Sequence, residues 1–188
     1  MTFPRRRVLV FAGLGALCAC GAILLVLLSY LSTPGAFENI ALWGTGSDYL
    51  GTAGVVLQHH RNNCGPAALK MIFDHYGVQC DLSEIERRIG LTPKGSSMLA
   101  LKQISEIKGL RTEGWNFTLD DFLKSPLPAL LLVHGNHYVV VDSASADGYL
   151  YVRDPALGRM RITKETLHAV WNGETLVFRK SEHAASGK

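Results

Sequence analysis

Gly109 separates two kinds of hydrophobic pattern, and this change constrains the fold more than any other feature of the sequence. Between Cys64 and Lys108 the apolar residues recur at helical spacing, which predicts three amphipathic helices with a glycine after each. After Gly109 the chain carries short, alternating or β-branched apolar runs, which predict strands. The sequence therefore predicts an α+β domain in which a helical N-terminal lobe is followed by an antiparallel β-sheet.

The first predicted helix begins with a thiol, Cys64, and ends before Gly77. Gly65 keeps the backbone open beside that thiol, and Pro66 suits the first turn of a helix. Unpaired N–H groups and the positive end of the helix dipole stabilise an anion at this position. Because such a cysteine has a lowered pKa, we expect Cys64 to act as a nucleophile if a histidine folds back onto it.

A thiol nucleophile also needs a base, a group that orients the base, and hydrogen-bond donors for the oxyanion. His137 begins an apolar predicted strand and is the candidate base; it is favoured over His134, which precedes the strand. Asp154 ends a second predicted strand, and it can reach the other ring nitrogen of His137 if the two strands pair. Gln58 lies six residues before Cys64 and can donate from its side-chain amide.

Taken in chain order, these segments resemble the C39 peptidases, papain-like cysteine peptidases best known as the leader-removing domains of bacteriocin exporters. The matching segments are Gln58-x5-Cys64-Gly65-x-Ala67-x-Leu69-x-Met71, Tyr76-Gly77, His137 to Val141, Asp154-Pro155-x-x-Gly158 and Trp171-x-Gly173. The resemblance implies a papain-like fold, with Cys64 as nucleophile and His137 as general acid/base. It also implies Asp154 as the orienting carboxylate and Gln58 as the oxyanion donor. Family members often carry an acidic residue just before the cysteine, where this chain has Asn63.

Residues 8–31 form an apolar run without a charged side chain. As a helix this run would be about 36 Å long, which is enough to cross a bilayer. Three arginines precede it at 5–7, so the positive-inside rule predicts a cytoplasmic N-terminus at 1–7 and an extracytoplasmic domain. We expect a transmembrane helix at 8–31 that anchors a single-pass protein in the cell (inner) membrane. The alternatives are a cleaved signal peptide and a lipoprotein cleavage box at Leu17-Cys18-Ala19-Cys20.

The remaining chain is predicted to comprise a linker at 32–54, a peptidase domain at 55–180 and a disordered tail at 181–188. The domain contains two of the four cysteines, Cys64 and Cys80, and a disulfide between them is an alternative reading of Cys64. No CxxC motif and no zinc spacing is present, so no metal and no cofactor is predicted. A net charge of +3 without a basic stripe argues against nucleic acid as a partner.

These inferences predict a membrane-anchored cysteine peptidase that processes an exported peptide or protein leader by a Cys–His–Asp triad. Its expected partners are a peptide or protein substrate, the membrane and an export machinery. Two alternatives are kept open. One is a peptidase-like domain that binds a peptide without cutting it, and the other is an amidase or transpeptidase reaction on the same residues.

Overall fold

The computed structural model describes residues 21–28 and 45–181. The chain divides into two compact units, Met1–Ala41 and Leu42–Lys188. In the first unit, residues 21–28 form a helix with exposed apolar side chains.

Within the described ranges, no helix has both the length and the apolar character needed to cross a membrane. The transmembrane helix predicted at 8–31 is therefore wrong as a feature of this fold. The described part of that segment is the helix at 21–28. The rest of the segment lies outside the described residues, as do 1–7, 32–44 and 182–188. The predicted localisation is not tested by the described residues and stays a prediction.

Three helices form the N-terminal lobe of the second unit, and local sequence signals set their ends. They are α1 (Cys64–Tyr76), α2 (Leu82–Ile89) and α3 (Met98–Ile107). Gly77 ends α1 with a left-handed backbone, φ 72°, which a glycine adopts without strain. Ser97 caps α3, because its hydroxyl accepts a hydrogen bond from the Ala100 N–H. The helical N-terminal lobe is thus confirmed.

The helices pack on an antiparallel sheet of seven strands, in the order β1-β6-β5-β4-β3-β7-β2, of which only β1 precedes them in the chain. The strands are β1 (Asp48–Tyr49), β2 (Leu110–Asn116), β3 (Ala129–Val133), β4 (His137–Ala144), β5 (Tyr149–Asp154), β6 (Gly158–Thr163) and β7 (Trp171–Lys180). Two short helices, α4 (Leu119–Phe122) and α5 (Lys164–Val170), interrupt the sequence of strands. This order of elements confirms the predicted α+β arrangement.

The central strands are buried on both faces, because a different hydrophobic cluster packs on each side of the sheet. One cluster joins α1, α2 and α3 to side chains of the sheet that include Leu130, Tyr138 and Val140. The other joins Phe122 of α4 and Leu167 of α5 to the opposite face. Since successive strand residues point to opposite faces, the continuous apolar sequences of β3 and β4 fill both clusters.

Two elements differ from the sequence prediction. Asp48–Tyr49 lies within the predicted linker at 32–54, yet it forms β1, and the Asp48 carboxylate accepts hydrogen bonds from the Arg161 guanidinium of β6. The strand β7 begins at Trp171, although the Asn172-Gly173 pair inside it is typical of a turn. Both strands are created by pairing with distant parts of the chain, so the local sequence contains little signal for them.

Candidate active site

Cys64 is the first residue of α1 and lies where the helical lobe meets the sheet. Its side chain is only 5% exposed. It lines a cavity of about 290 Å³ together with Tyr138 and Leu132 of the two central strands. The cysteine thus occupies the helix position that the sequence predicted, and it borders a space large enough to admit a segment of peptide.

His137 is the first residue of β4, and Asp154 is the last residue of the neighbouring strand β5. Pairing of these strands brings His137 Nε2 within 2.8 Å of Asp154 Oδ1. The same carboxylate oxygen accepts hydrogen bonds from the N–H groups of Ala156 at 2.7 Å and Leu157 at 3.3 Å. Asp154 is therefore both a turn residue and the partner of His137, and the turn fixes the direction of its carboxylate.

The thiol of Cys64 is hydrogen-bonded to His137, so the three predicted residues are brought together. Burial raises the pKa of Cys64, but the hydrogen bonds to His137 and to main-chain N–H groups, together with the charge of the imidazolium, outweigh burial, so the pKa lies below its ordinary value. For His137, burial lowers the pKa, whereas the hydrogen bonds to Asp154 and Cys64 raise it to about 9. These opposite shifts favour a thiolate–imidazolium pair over a neutral thiol beside a neutral imidazole.

Main-chain donors also stabilise the sulfur as an anion. The N–H groups of Tyr138 and Gly65 are hydrogen-bonded to Cys64, and both contacts lower the pKa of the thiol. The Gly65 N–H belongs to the first turn of α1, where no intrahelical acceptor exists. The role of the Tyr138 N–H was missed in the sequence, because only the tertiary contact between α1 and β4 creates it.

Gln58 lies beside the turn that follows Asp154, since its main-chain N–H donates to the Pro155 carbonyl at 2.8 Å. Its side-chain amide does not point freely into the cavity. Nε2 donates to the His60 carbonyl at 3.2 Å, and Oε1 is buried without a hydrogen-bond partner. The structure thus places Gln58 beside the turn that follows Asp154, and its predicted donor group is already hydrogen-bonded to a main-chain carbonyl.

Asn63 occupies the N-cap position of α1 but does not cap the helix with its side chain. Its amide is fully buried, accepts a hydrogen bond from the His60 N–H at 3.1 Å and donates to Glu86 Oε1 at 2.7 Å. This contact between the start of α1 and α2 was missed in the sequence, because no local pattern specifies a partner 23 residues away. Asn63 and Glu86 together fix the backbone that leads into Cys64.

The structure does not contain either of the alternative features that the sequence allowed, His134 as the base or a disulfide between Cys64 and Cys80. His134 lies in the turn between β3 and β4 with φ 52° and is not the histidine that contacts Asp154. Cys64 and Cys80 are both free cysteines, so the structure contains no disulfide between them. In the part of the chain that the structure describes, no group of three His, Cys, Asp or Glu residues is placed to hold a metal ion.

Comparison with known proteins places this geometry in a family. The model of the peptidase C39 family matches residues 52–183. An uncharacterized protein of Methanothermobacter thermautotrophicus is 31% identical over 134 residues, which are 71% of this chain and 94% of that protein. The probable microcin-H47 secretion/processing ATP-binding protein MchF of Escherichia coli is 30% identical over 122 residues, which are 65% of this chain and 17% of MchF. The match thus spans about a sixth of that larger protein.

A solved structure supports the same assignment. The crystal structure of a double glycine motif protease from an AMS/PCAT transporter, in complex with the leader peptide, superimposes with a TM-score of 0.65 and 26% identity. The superposition covers 68% of this chain and 91% of that protease domain. The papain-like α+β fold implied by the sequence resemblance is therefore confirmed, and the chain belongs to the peptidase C39 family.

Proposed function

We propose that this protein is a cysteine peptidase that hydrolyses a peptide bond by means of Cys64, His137 and Asp154. The observation that carries the proposal is the chain of contacts from the Cys64 thiol to His137 and from His137 Nε2 to Asp154 Oδ1 at 2.8 Å. An activated thiolate, a base and a group that orients the base are the parts that nucleophilic acyl transfer requires.

In the first half of the proposed reaction, the Cys64 thiolate attacks the carbonyl carbon of the scissile bond. The resulting oxyanion accepts a hydrogen bond from the Cys64 main-chain N–H, which lies in the first turn of α1 and has no intrahelical acceptor. Gln58 supplies a second donor when its Nε2 exchanges the His60 carbonyl for the substrate oxygen. The His137 imidazolium then gives its proton to the leaving amine, and a thioester with Cys64 remains.

In the second half, His137 is neutral and takes a proton from a water molecule, whose oxygen attacks the thioester carbonyl. Collapse of this second tetrahedral intermediate releases the carboxylic acid product and restores the thiolate and the imidazolium. Asp154 accepts a hydrogen bond from Nε2 and keeps the imidazole in place, so that Nδ1 is the nitrogen available to the thiol and the water.

As substrate we propose the leader segment of an exported peptide. The solved relative is described as a double glycine motif protease bound to a leader peptide, and MchF is described as a secretion and processing protein. Glycines before the scissile bond suit a cavity beside a buried thiol, because they let the substrate backbone come close to the nucleophile.

The test is cleavage of a quenched fluorescent peptide in which a leader ending in Gly-Gly precedes a short cargo segment. With the full-length protein we expect cleavage after the second glycine, and we expect Cys64→Ala to lower kcat/KM by at least about 10³-fold because no nucleophile remains. Cys80→Ala is the matched control, since it removes the other cysteine of the domain and should retain activity.

Equal cleavage by the wild type and Cys64→Ala would contradict the proposal. The rates of thiol alkylation give a second test of the proposal. Iodoacetamide should modify Cys64 faster than Cys80 near neutral pH. Burial raises the pKa of Cys80, and the neighbouring Glu84 raises it further. Products of cleavage in the presence of an added amine separate hydrolysis from transfer, because only transfer leaves the amine attached to the leader.

A further inference from the structure

The cavity beside Cys64 has cationic side chains on its rim and no carboxylate among its lining residues. Arg61 comes from the segment just before α1, and Lys94 comes from the turn between α2 and α3. The other polar side chains that line the cavity are uncharged, apart from Cys64 itself. A substrate that enters this cavity therefore meets a positive potential next to the nucleophile.

Neither cation is paired with an acidic residue among those that the structure describes. Eight other lysine or arginine side chains in the described part of the chain form ion pairs. Arg61 and Lys94 form no ion pair within those same residues. The nearby carboxylate of Glu86 lies against His59 instead, with Oε1 3.7 Å from the His59 Nε2. Their charges are also not among the main causes of the shifted pKa values of Cys64 and His137. Both cations remain available to an external anion.

The backbone that carries these two side chains is held in place by hydrogen bonds. Asn62 Nδ2 donates to the Thr92 carbonyl at 2.8 Å and so connects the segment with Arg61 to the turn with Lys94. Within that turn, Gly95 N donates to the Thr92 carbonyl at 2.9 Å, and the Thr92 hydroxyl donates to the Gly95 carbonyl at 2.8 Å. Two cations on one fixed rim lose less entropy on binding a shared anion than two on separate mobile loops.

We propose that Arg61 and Lys94 form a specificity subsite for an aspartate or glutamate side chain of the substrate peptide, within a few residues of the scissile bond. This inference rests on the proposed peptidase function and goes beyond it, because it predicts which peptides the site prefers. The cations act on substrate binding and not on the chemistry of the thiol. The preference should therefore appear mainly as a lower KM for the acidic peptide.

The experiment uses the full-length protein and quenched fluorescent peptides with a Gly-Gly core. One aspartate, or the matched asparagine, is moved through four positions on each side of the scissile bond. At one position we expect the aspartate peptide to be cleaved with about three- to tenfold higher kcat/KM, the change that one or two exposed ion pairs produce. The ratio should shrink in about 1 M salt, where the Debye length falls to about 3 Å.

Variants test whether the two cations cause the preference. The double change Arg61→Gln with Lys94→Gln should bring the ratio between aspartate and asparagine peptides to about one. Charge reversal by Arg61→Glu should shift the preference towards a lysine peptide, a result that a merely structural role of Arg61 would not give. The matched control combines Arg159→Gln and Lys180→Gln, two exposed cations that do not line the cavity and that form no ion pair in the described range. It should retain the ratio.

Two results would overturn the subsite: a ratio near one at every position with the wild type, or a ratio that survives in the double variant. Failure of the proposed function is recognised separately. If the wild type cleaves no peptide, binding of the labelled peptides to Cys64→Ala protein is measured by fluorescence anisotropy. Tighter binding of the aspartate peptide that is lost with Arg61→Gln and Lys94→Gln supports the subsite without hydrolysis, and equal binding of both peptides rejects it.

Discussion

Among single residues, His137 has a pKa that depends on both side chains it contacts, Asp154 and Cys64. Burial lowers its pKa, but the hydrogen bonds to Asp154 and Cys64 raise it to about 9. The pKa of Cys64 is shifted in the other direction. The active form therefore exists between the two pKa values, where the thiol has lost its proton and the imidazole has kept it.

This ion pair predicts a bell-shaped dependence of kcat/KM on pH. The rate should rise as Cys64 is deprotonated and fall as the pH passes about 9, because neutral His137 has no proton for the leaving amine. Asp154→Asn should lower the pKa of His137 and move the alkaline limb to lower pH, since the asparagine keeps a hydrogen-bond acceptor for the turn but loses the charge. The measurement is kcat/KM from pH 5 to 10, together with the NMR titration of His137.

Asp154→Ala is the comparison that separates charge from orientation. It removes the acceptor of the Ala156 and Leu157 N–H groups as well as the partner of His137, so its loss of activity should exceed that of Asp154→Asn. An alkaline limb that stays at the same pH in Asp154→Asn would contradict the idea that the carboxylate charge raises the pKa of His137.

From the sequence, the positions of residues at the ends of helices and strands were easier to predict than the side-chain contacts of those residues. Cys64 and His137 begin elements that local patterns predict, and Asp154 ends one. Strand pairing brings His137 to Asp154, and packing of α1 against β4 adds Cys64. The partners of Gln58 and Asn63 were not predictable. The amide of Asn63 contacts Glu86, 23 residues away, and no local rule specifies that contact.

At the scale of elements, the start of α1 is held against α3 and β4 by close packing at Gly65. A Cβ atom at this position would overlap the Ser96 hydroxyl and would lie 3.1 Å from the Tyr138 ring and 3.3 Å from Leu101 Cδ1. The glycine of the Cys64-Gly65-Pro66 motif thus allows the helix to approach its neighbours. The sequence suggested an open backbone there but not the residues that require it.

Gly65→Ala should therefore destabilise the domain by about 1–3 kcal/mol, the usual cost of overpacking a core. Its effect should be partly relieved by Ser96→Gly in the double variant, because the overlapping hydroxyl is then absent. The free energy of unfolding is measured by urea denaturation of each variant.

Gly114→Ala is the matched control for this prediction. A Cβ at Gly114 would meet Leu176 Cδ2 at 3.6 Å, an ordinary van der Waals contact. Its free energy of unfolding should change much less than that of Gly65→Ala. Equal losses at both glycines would show that the tight approach at Gly65 does not limit stability.

Across the whole molecule, the sheet separates a hydrophobic cluster that contains the site from one that does not. Cys64, Tyr138 and Leu130 belong to the cluster on the face covered by α1, α2 and α3. Leu131, the next residue of β3, belongs to the cluster on the opposite face, with Trp171. The sequence predicted these strands, but their continuous apolar runs did not show which residues face the helices. That assignment depends on where α1 packs, which is a tertiary property.

The two neighbouring leucines allow a comparison of stability with activity. Leu130 and Leu131 are both fully buried, so Leu130→Ala and Leu131→Ala should each reduce the free energy of unfolding by about 2–5 kcal/mol. Only the cavity left by Leu130→Ala would lie in the cluster that positions α1 against β4. At a temperature where both variants remain folded, Leu130→Ala should therefore slow alkylation of Cys64 by iodoacetamide, whereas Leu131→Ala should leave the rate near that of the wild type. Equal slowing in both variants would mean that the geometry of the thiol depends on the whole core and not on the helical face of the sheet.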